Sequence, residues 1–119
     1  FPLGATSVES NEKSTAYIPH GTNEYYFAGG FNGGTSSEFL KMSTTIANNI
    51  DIDAQGNIIA VWHDESHINR YLLDNEPTKI LHPGYCYPDP ESEFPQYEWL
   101  ESQPKKLMAL AKNHKEMRG

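Results

Sequence analysis

Six consecutive residues, Trp62-His63-Asp64-Glu65-Ser66-His67, bring together an aromatic ring, two imidazoles, two carboxylates and a hydroxyl. On a helix, the adjacent Asp64 and Glu65 point roughly 100° apart and can serve two different groups. Trp62 offers a flat apolar face of the kind that suits the C–H face of a sugar. Upstream, Gly29, Gly30, Gly33 and Gly34 remove side chains where another group can approach the backbone closely. At the other end, Lys105, Lys106, Lys112, Lys115 and Arg118 place five of the nine basic residues in the last fifteen. Converging cations there would neutralise a departing phosphate. These parts fit transfer of a sugar from a nucleotide donor. Each also has a plain structural reading: Trp62 as core, Asp64 as a helix cap, the glycines as a turn, the basic residues as a solvated tail.

Several better-known chemistries fail on spacing. His63 and His67 stand at i and i+4, as in the zinc-protease HExxH, but the Glu sits third rather than second. That turns the carboxylate about 100° away from where the general base belongs, and a satisfied His67 in the core or on the surface is expected instead. Asp51-Ile52-Asp53 opens like a calcium loop, but its twelfth position is Trp62 rather than a bidentate Glu. The same Asp-x-Asp follows a helix, not a strand, and reads as a turn. Ala28-x-Gly30-x-x-Gly33 lacks the first glycine of a dinucleotide fingerprint and follows an aromatic strand. No Gly-Lys-Ser/Thr and no Gly-x-Ser-x-Gly occurs, which excludes a P-loop and a nucleophile elbow.

The elements that must position these residues are short. Residues 5–14 read as polar loop, and Tyr17-Ile18-Pro19 ends a short strand. Glu24–Ala28 is aromatic and strand-like. Thr35-Ser36-Ser37-Glu38 fits a capping box, and Phe39, Met42, Ile46 and Ile50 continue at helical spacing, predicting a helix over 36–50. Asp51–Asn57 reads as a turn and Ile58–Trp62 as a short buried strand or extended run. A second helix begins at Asp64 and Glu65, whose charges suit a helix N-terminus, and ends before Pro77. Thr78–Leu81 reads as a strand, His82–Glu98 as irregular, and Lys106–Ala111 as a last strand or helix. The alternation predicts an α/β fold with a small mixed sheet and flanking helices.

Composition sets the outer bounds. At 119 residues the chain holds at most one domain. It is 37% hydrophobic, with a mean hydropathy of -0.66, which is lean for an independent core. A net charge of -7 argues against nucleic-acid binding. The single cysteine, Cys86, excludes an internal disulfide and favours a reducing compartment. No apolar run approaches membrane-spanning length.

Taken together, the blocks Ala16–Pro19, Tyr25–Gly34, Ala60–Leu73, Pro77–Lys79 and Lys112–His114 with Arg118 resemble the family 6 glycosyltransferases. This is the family of the histo-blood-group A/B transferases and the α-1,3-galactosyltransferase. The match in order and spacing extends from about Glu9 to Arg118. It implies that residues 1–119 are the C-terminal half of one GT-A catalytic domain, carrying the donor-sugar and acceptor site and the basic tail. The missing N-terminal half becomes an implied partner. The implied reaction is retaining α-1,3 transfer from UDP-N-acetylgalactosamine, or alternatively UDP-galactose, to a fucosylated β-galactoside. A non-catalytic galactoside-binding module is the alternative of another class.

By the same resemblance Glu65 is the catalytic carboxylate, and Asp64, His63, Ala28, Gly29 and Gly30 bind the donor sugar. Lys112 and Arg118 bind the diphosphate, and Trp62 and Ser7 contact the acceptor. The small residue Gly30 matches the choice of N-acetylgalactosamine. No metal ligand or cofactor is expected within these residues. Mn2+ enters only if an Asp-x-Asp lies upstream of Phe1. Asn32, where mammalian members have Phe, points to a bacterial source, which with the single Cys86 implies a cytoplasmic protein; an animal source would place it in the Golgi lumen. Pro88 displaces the acceptor-side Asp, with Asp89 next door.

Overall fold

The computed structural model describes residues 7–89 and 104–110. The chain divides into two units, one ending at Lys79 and one beginning at Ile80.

The first unit is built on two helices that pack on each other, α1 (Ser36–Gln55) and α2 (Asp64–Asp74). α1 starts where the sequence places it: Thr35 is extended, and its Oγ1 accepts from the Glu38 amide at 3.3 Å. It then runs five residues past the expected end. The expected turn at Asp51–Asn57 shrinks to Gly56 and Asn57, where Asn57 takes a positive φ of 58°. The Gly56 and Ile58 amides both close on Asp53 O, at 3.0 and 2.9 Å. Asp53 itself explains the extension, because its side chain is drawn inward rather than to solvent and anchors the last turn. It falls on one face with Ile46, and these two are the buried residues of α1. Phe39 and Ile50, expected on the same stripe, are 41% and 38% exposed.

The loop before α1 lies against that face. Ala16 and Ile18 are fully inside, and Glu9 and Tyr17 form an isolated parallel bridge. Glu9 is buried with both oxygens used: Oε1 accepts from Asn11 N at 2.9 Å, Oε2 from Val61 N at 2.5 Å. Asp53 accepts from Ser14 Oγ at 2.6 Å and from the Thr15 amide and hydroxyl, each at 2.8 Å. The Thr15 hydroxyl also lies 3.1 Å from Asn49 O. One hydroxyl has one proton, and the charged acceptor is the nearer.

No strand forms at Glu24–Ala28, Ile58–Trp62 or Thr78–Leu81. Ile58–Trp62 is also not buried: Ala60 is inside, but Ile59 is 77% and Val61 52% exposed. Two of its amides are taken by side chains instead, Val61 by Glu9 and Trp62 by Ser66 Oγ at 3.0 Å.

In the second unit, a 3-10 turn (Pro83–Cys86) leads into β1 (Tyr87–Pro88), which pairs in parallel with β2 (Met108–Ala109). This pair is the sheet of the described residues, so the expected mixed sheet is replaced by a short parallel one. Lys106 and Leu107 amides both donate to Gly84 O, at 2.8 and 3.0 Å. A Cβ on Gly84 would lie 1.7 Å from Pro104 O, so this close approach requires glycine. Among the described residues, no helix is long and apolar enough to cross a membrane.

Candidate functional site

α2 has an unusual beginning. His63, its N-cap residue, makes no capping hydrogen bond and has φ 53°, ψ -125°. That left-handed region costs a non-glycine residue about 1–3 kcal/mol. The turn around it is closed by His63 N to Ala60 O at 3.0 Å and Glu65 N to Trp62 O at 3.1 Å. Ser66 Oγ, fully buried, holds the Trp62 amide from the helix side. The strain therefore sits at the residue that aims Trp62 away from the helix and starts Asp64 and Glu65 within it. Trp62 stands 51% exposed, and Asp64 and His63 are exposed as well.

Glu65 points the other way, toward the 26–30 loop. Its Oε1 accepts a short hydrogen bond from the Tyr26 hydroxyl, and its Oε2 accepts from Gly29 N at 2.7 Å. Two donors on two oxygens fix the plane of the carboxylate, while a second acceptor position on each oxygen stays available. Burial, then the Glu65 hydrogen bond and charge, raise the Tyr26 phenol above its ordinary value. Tyr26 therefore remains protonated, as a donor must. The close approach expected at the glycines is realised at Gly29, where the approaching group is Glu65: a Cβ there would lie 3.3 Å from Glu65 Cβ and Oε2. Around Gly33 and Gly34 a Cβ would meet nothing within 4 Å. Ala28 is half-buried and Gly30 exposed beside this point, and Asn32 Nδ2 donates to Gly29 O at 3.1 Å.

Thus Glu65, Gly29, Ala28 and Gly30 lie on two segments joined by hydrogen bonds, with Asp64, His63 and Trp62 on the adjoining turn. Ser7 is exposed at the start of the described residues. Lys112 and Arg118 lie outside the described residues. Sequence reasoning missed Tyr26 and Asn69. Tyr26 gave no signal beyond an aromatic run. Asn69 gave one, since it stands four residues after Glu65 on the same helix face.

His67 does not face His63. It is 4% exposed, and its Nε2 lies 3.7 Å from Asp53 Oδ2. It is not the satisfied histidine expected, because its buried Nδ1 has no hydrogen-bond partner among the described residues. Among the described residues no three His, Cys, Asp or Glu side chains group as metal ligands would. Burial depresses the His67 pKa, against the opposing pull of Asp53, Glu9 and Asp64. Burial alone would raise Asp53, but the Ser14 and Thr15 hydrogen bonds and His67 outweigh it and hold the carboxyl below the ordinary range.

Acid should therefore loosen this unit in two stages. Above about pH 6.5 His67 is neutral, folded or unfolded. Below that, the unfolded chain binds a proton that the buried ring resists, so stability falls as pH drops toward the depressed folded value. The Asp53 contribution is complete above its ordinary pKa and is lost as pH falls further, through its own depressed value. Urea midpoints should decline from pH 7.5 to pH 5, with a shallower decline in His67→Gln. Equal midpoints across that range would refute the assignment.

The family model described as glycosyltransferase family 6 matches residues 4–119. Rat histo-blood group ABO system transferase 1 (Rattus norvegicus) is 40% identical over 112 residues, covering 92% of this chain and 30% of the relative. Chicken globoside alpha-1,3-N-acetylgalactosaminyltransferase 1 (Gallus gallus) is 30% identical over 117 residues, covering 98% of this chain and 33% of the relative. The human protein of that name (Homo sapiens) is 30% identical over 92 residues, 77% of this chain and 26% of the relative. The chain thus spans about a third or less of the length of these relatives.

Proposed function

The chain belongs to glycosyltransferase family 6, and on that premise we propose that it supplies the donor-sugar and acceptor side of a GT-A catalytic domain. The reaction is retaining α-1,3 transfer of N-acetylgalactosamine from UDP-N-acetylgalactosamine to a fucosylated β-galactoside. The observation that carries this reading is the Glu65 carboxylate, held by Tyr26 and Gly29 between the loop with Ala28 and Gly30 and the turn with Trp62 and Asp64. A sugar lying over that loop would place its anomeric carbon against a carboxylate whose plane is already set.

In this reading the bond from the anomeric carbon to the diphosphate oxygen breaks and UDP leaves with the electron pair. Glu65 acts from the opposite face, as nucleophile or by stabilising the developing positive charge. The acceptor O3 then bonds to the anomeric carbon, breaking the bond to Glu65 where one has formed, and its proton passes to the departed diphosphate. Asp64 and His63 hold donor hydroxyls, Trp62 packs on the acceptor galactose, Ser7 contacts the acceptor, and Lys112 and Arg118 neutralise the diphosphate. A manganese requirement would be set by an Asp-x-Asp outside these residues.

The test is a transfer assay read by mass, with both UDP-sugars in competition, a fucosylated galactoside and EDTA. A product heavier by one N-acetylhexosamine supports the reading and metal independence together. Product only after manganese is restored keeps the transferase and assigns it a metal. No product in either condition refutes the proposed reaction. Donor choice is tested at Gly30. Gly30→Ala should crowd the acetamido group and shift the kcat/KM ratio toward UDP-galactose by roughly 10-fold or more, since one methyl group is worth about 1–3 kcal/mol in a specificity pocket. An unchanged ratio would sink that role.

A further inference from the structure

A loop that forms no strand over residues 26–30 must still pair its backbone groups where they are buried. Phe27, in the middle of the 26–30 loop, solves this through one side chain. The Phe27 amide donates to Asn69 Oδ1 at 2.8 Å, and Phe27 O accepts from Asn69 Nδ2 at 2.9 Å. The carboxamide thus pairs with Phe27 on both sides, as a partner strand would. Asn69 Nδ2 also donates to Glu65 O at 2.9 Å, one helical turn earlier. Its acceptor and both donor directions are all engaged, and the side chain is 4% exposed. The flanking residues Tyr26 and Gly29 donate to the Glu65 carboxylate itself. Loop and helix are therefore joined at Glu65, Asn69 and Glu65 in turn.

We infer that Asn69 is a positioning residue: it latches the 26–30 loop to α2 and so fixes Glu65 against Gly29 and the donor loop. Its catalytic consequence rests on the reading of Glu65 as the carboxylate that meets the sugar. The chemistry is specific to a carboxamide. Asp in its place keeps the acceptor for Phe27 N but turns an oxygen toward the Phe27 and Glu65 carbonyls. Ala removes both sides of the latch.

Asn69→Asp and Asn69→Ala, made in the full-length protein, test this with two readouts. Amide hydrogen exchange at Phe27 and Gly29 should speed up by roughly tenfold or more in both variants, while exchange in α1 stays as in the wild type. The kcat for transfer should fall by about ten- to a hundredfold, with the donor KM changed by less than about threefold. A merely structural role would lower the melting temperature without this split. Unchanged exchange at Phe27 and Gly29 overturns the latch, and faster exchange with kcat intact overturns the positioning role. If Asn69→Ala does not fold, the isosteric Asn69→Asp decides. A wild-type protein that transfers neither sugar sinks the functional reading instead, and the exchange comparison then decides the latch by itself.

Discussion

Glu65→Gln should lower kcat for sugar transfer by roughly a thousandfold or more. Its effect on the fold should be small, for a reason visible in the hydrogen bonds. The amide keeps one oxygen, which can accept from Gly29 N. Its nitrogen then faces the Tyr26 hydroxyl, which can turn from donor to acceptor. Shape and both contacts survive; what is lost is the negative charge. A nucleophile at the anomeric carbon and a stabiliser of positive charge both need that charge, so the variant separates catalysis from packing. Kinetics with UDP-N-acetylgalactosamine and a fucosylated galactoside measure the loss, and thermal melting checks the fold. The same variant discriminates against a galactoside-binding module. In a lectin, Glu65→Gln would weaken or spare galactoside binding, and the wild type would transfer nothing. Retained turnover in Glu65→Gln would remove Glu65 from the catalytic role.

The contrast between Glu65 and its neighbours shows what the sequence exposed and what it hid. The cluster at 62–67 was legible because residue types alone carry it, and the cap at Thr35 because a hydroxyl three residues before a Glu has a local meaning. The start of α2 at Asp64 followed from helix electrostatics. What failed was whatever a side-chain partner decided, most of all a distant one. Ile58–Trp62 has a strand's composition, yet its amides went to Glu9 and Ser66. Glu24–Ala28 has a strand's aromatics, yet Phe27 pairs with a side chain 42 residues away. Asp51–Asn57 looked like a turn because two aspartates and a glycine favour one. Burial of Asp53 against Ser14 and Thr15 overrode that preference. Local propensity cannot report a partner 38 or 39 residues off. The resemblance to family 6 supplied the role proposed for Glu65, and geometry added Tyr26 at its carboxylate and Asn69 at its backbone oxygen.

The second large effect is on stability. Asp53→Ala should destabilise the protein by about 3–5 kcal/mol, because it strips the acceptor from buried donors at about 1–3 kcal/mol each. The carboxylate is 3% exposed and receives three short hydrogen bonds from Ser14 and Thr15. Bonds to a charged acceptor are worth about 1.5–3 kcal/mol each, and they are not additive when they share one group. Truncation leaves the Ser14 hydroxyl and the Thr15 amide without their acceptor. It also removes the carboxylate 3.7 Å from His67 Nε2, leaving an imidazole whose Nδ1 already lacks a partner among the described residues. Asp53→Asn is the graded control. It keeps one oxygen for the Thr15 amide and lets Ser14 turn to accept from the new nitrogen, so it should cost roughly 1–3 kcal/mol. Urea unfolding of the full-length protein measures both. The order wild type, Asn, Ala in midpoint is the expected result, and an Ala variant within about 1 kcal/mol of wild type would refute a network that holds the end of α1 to the loop at 14–16.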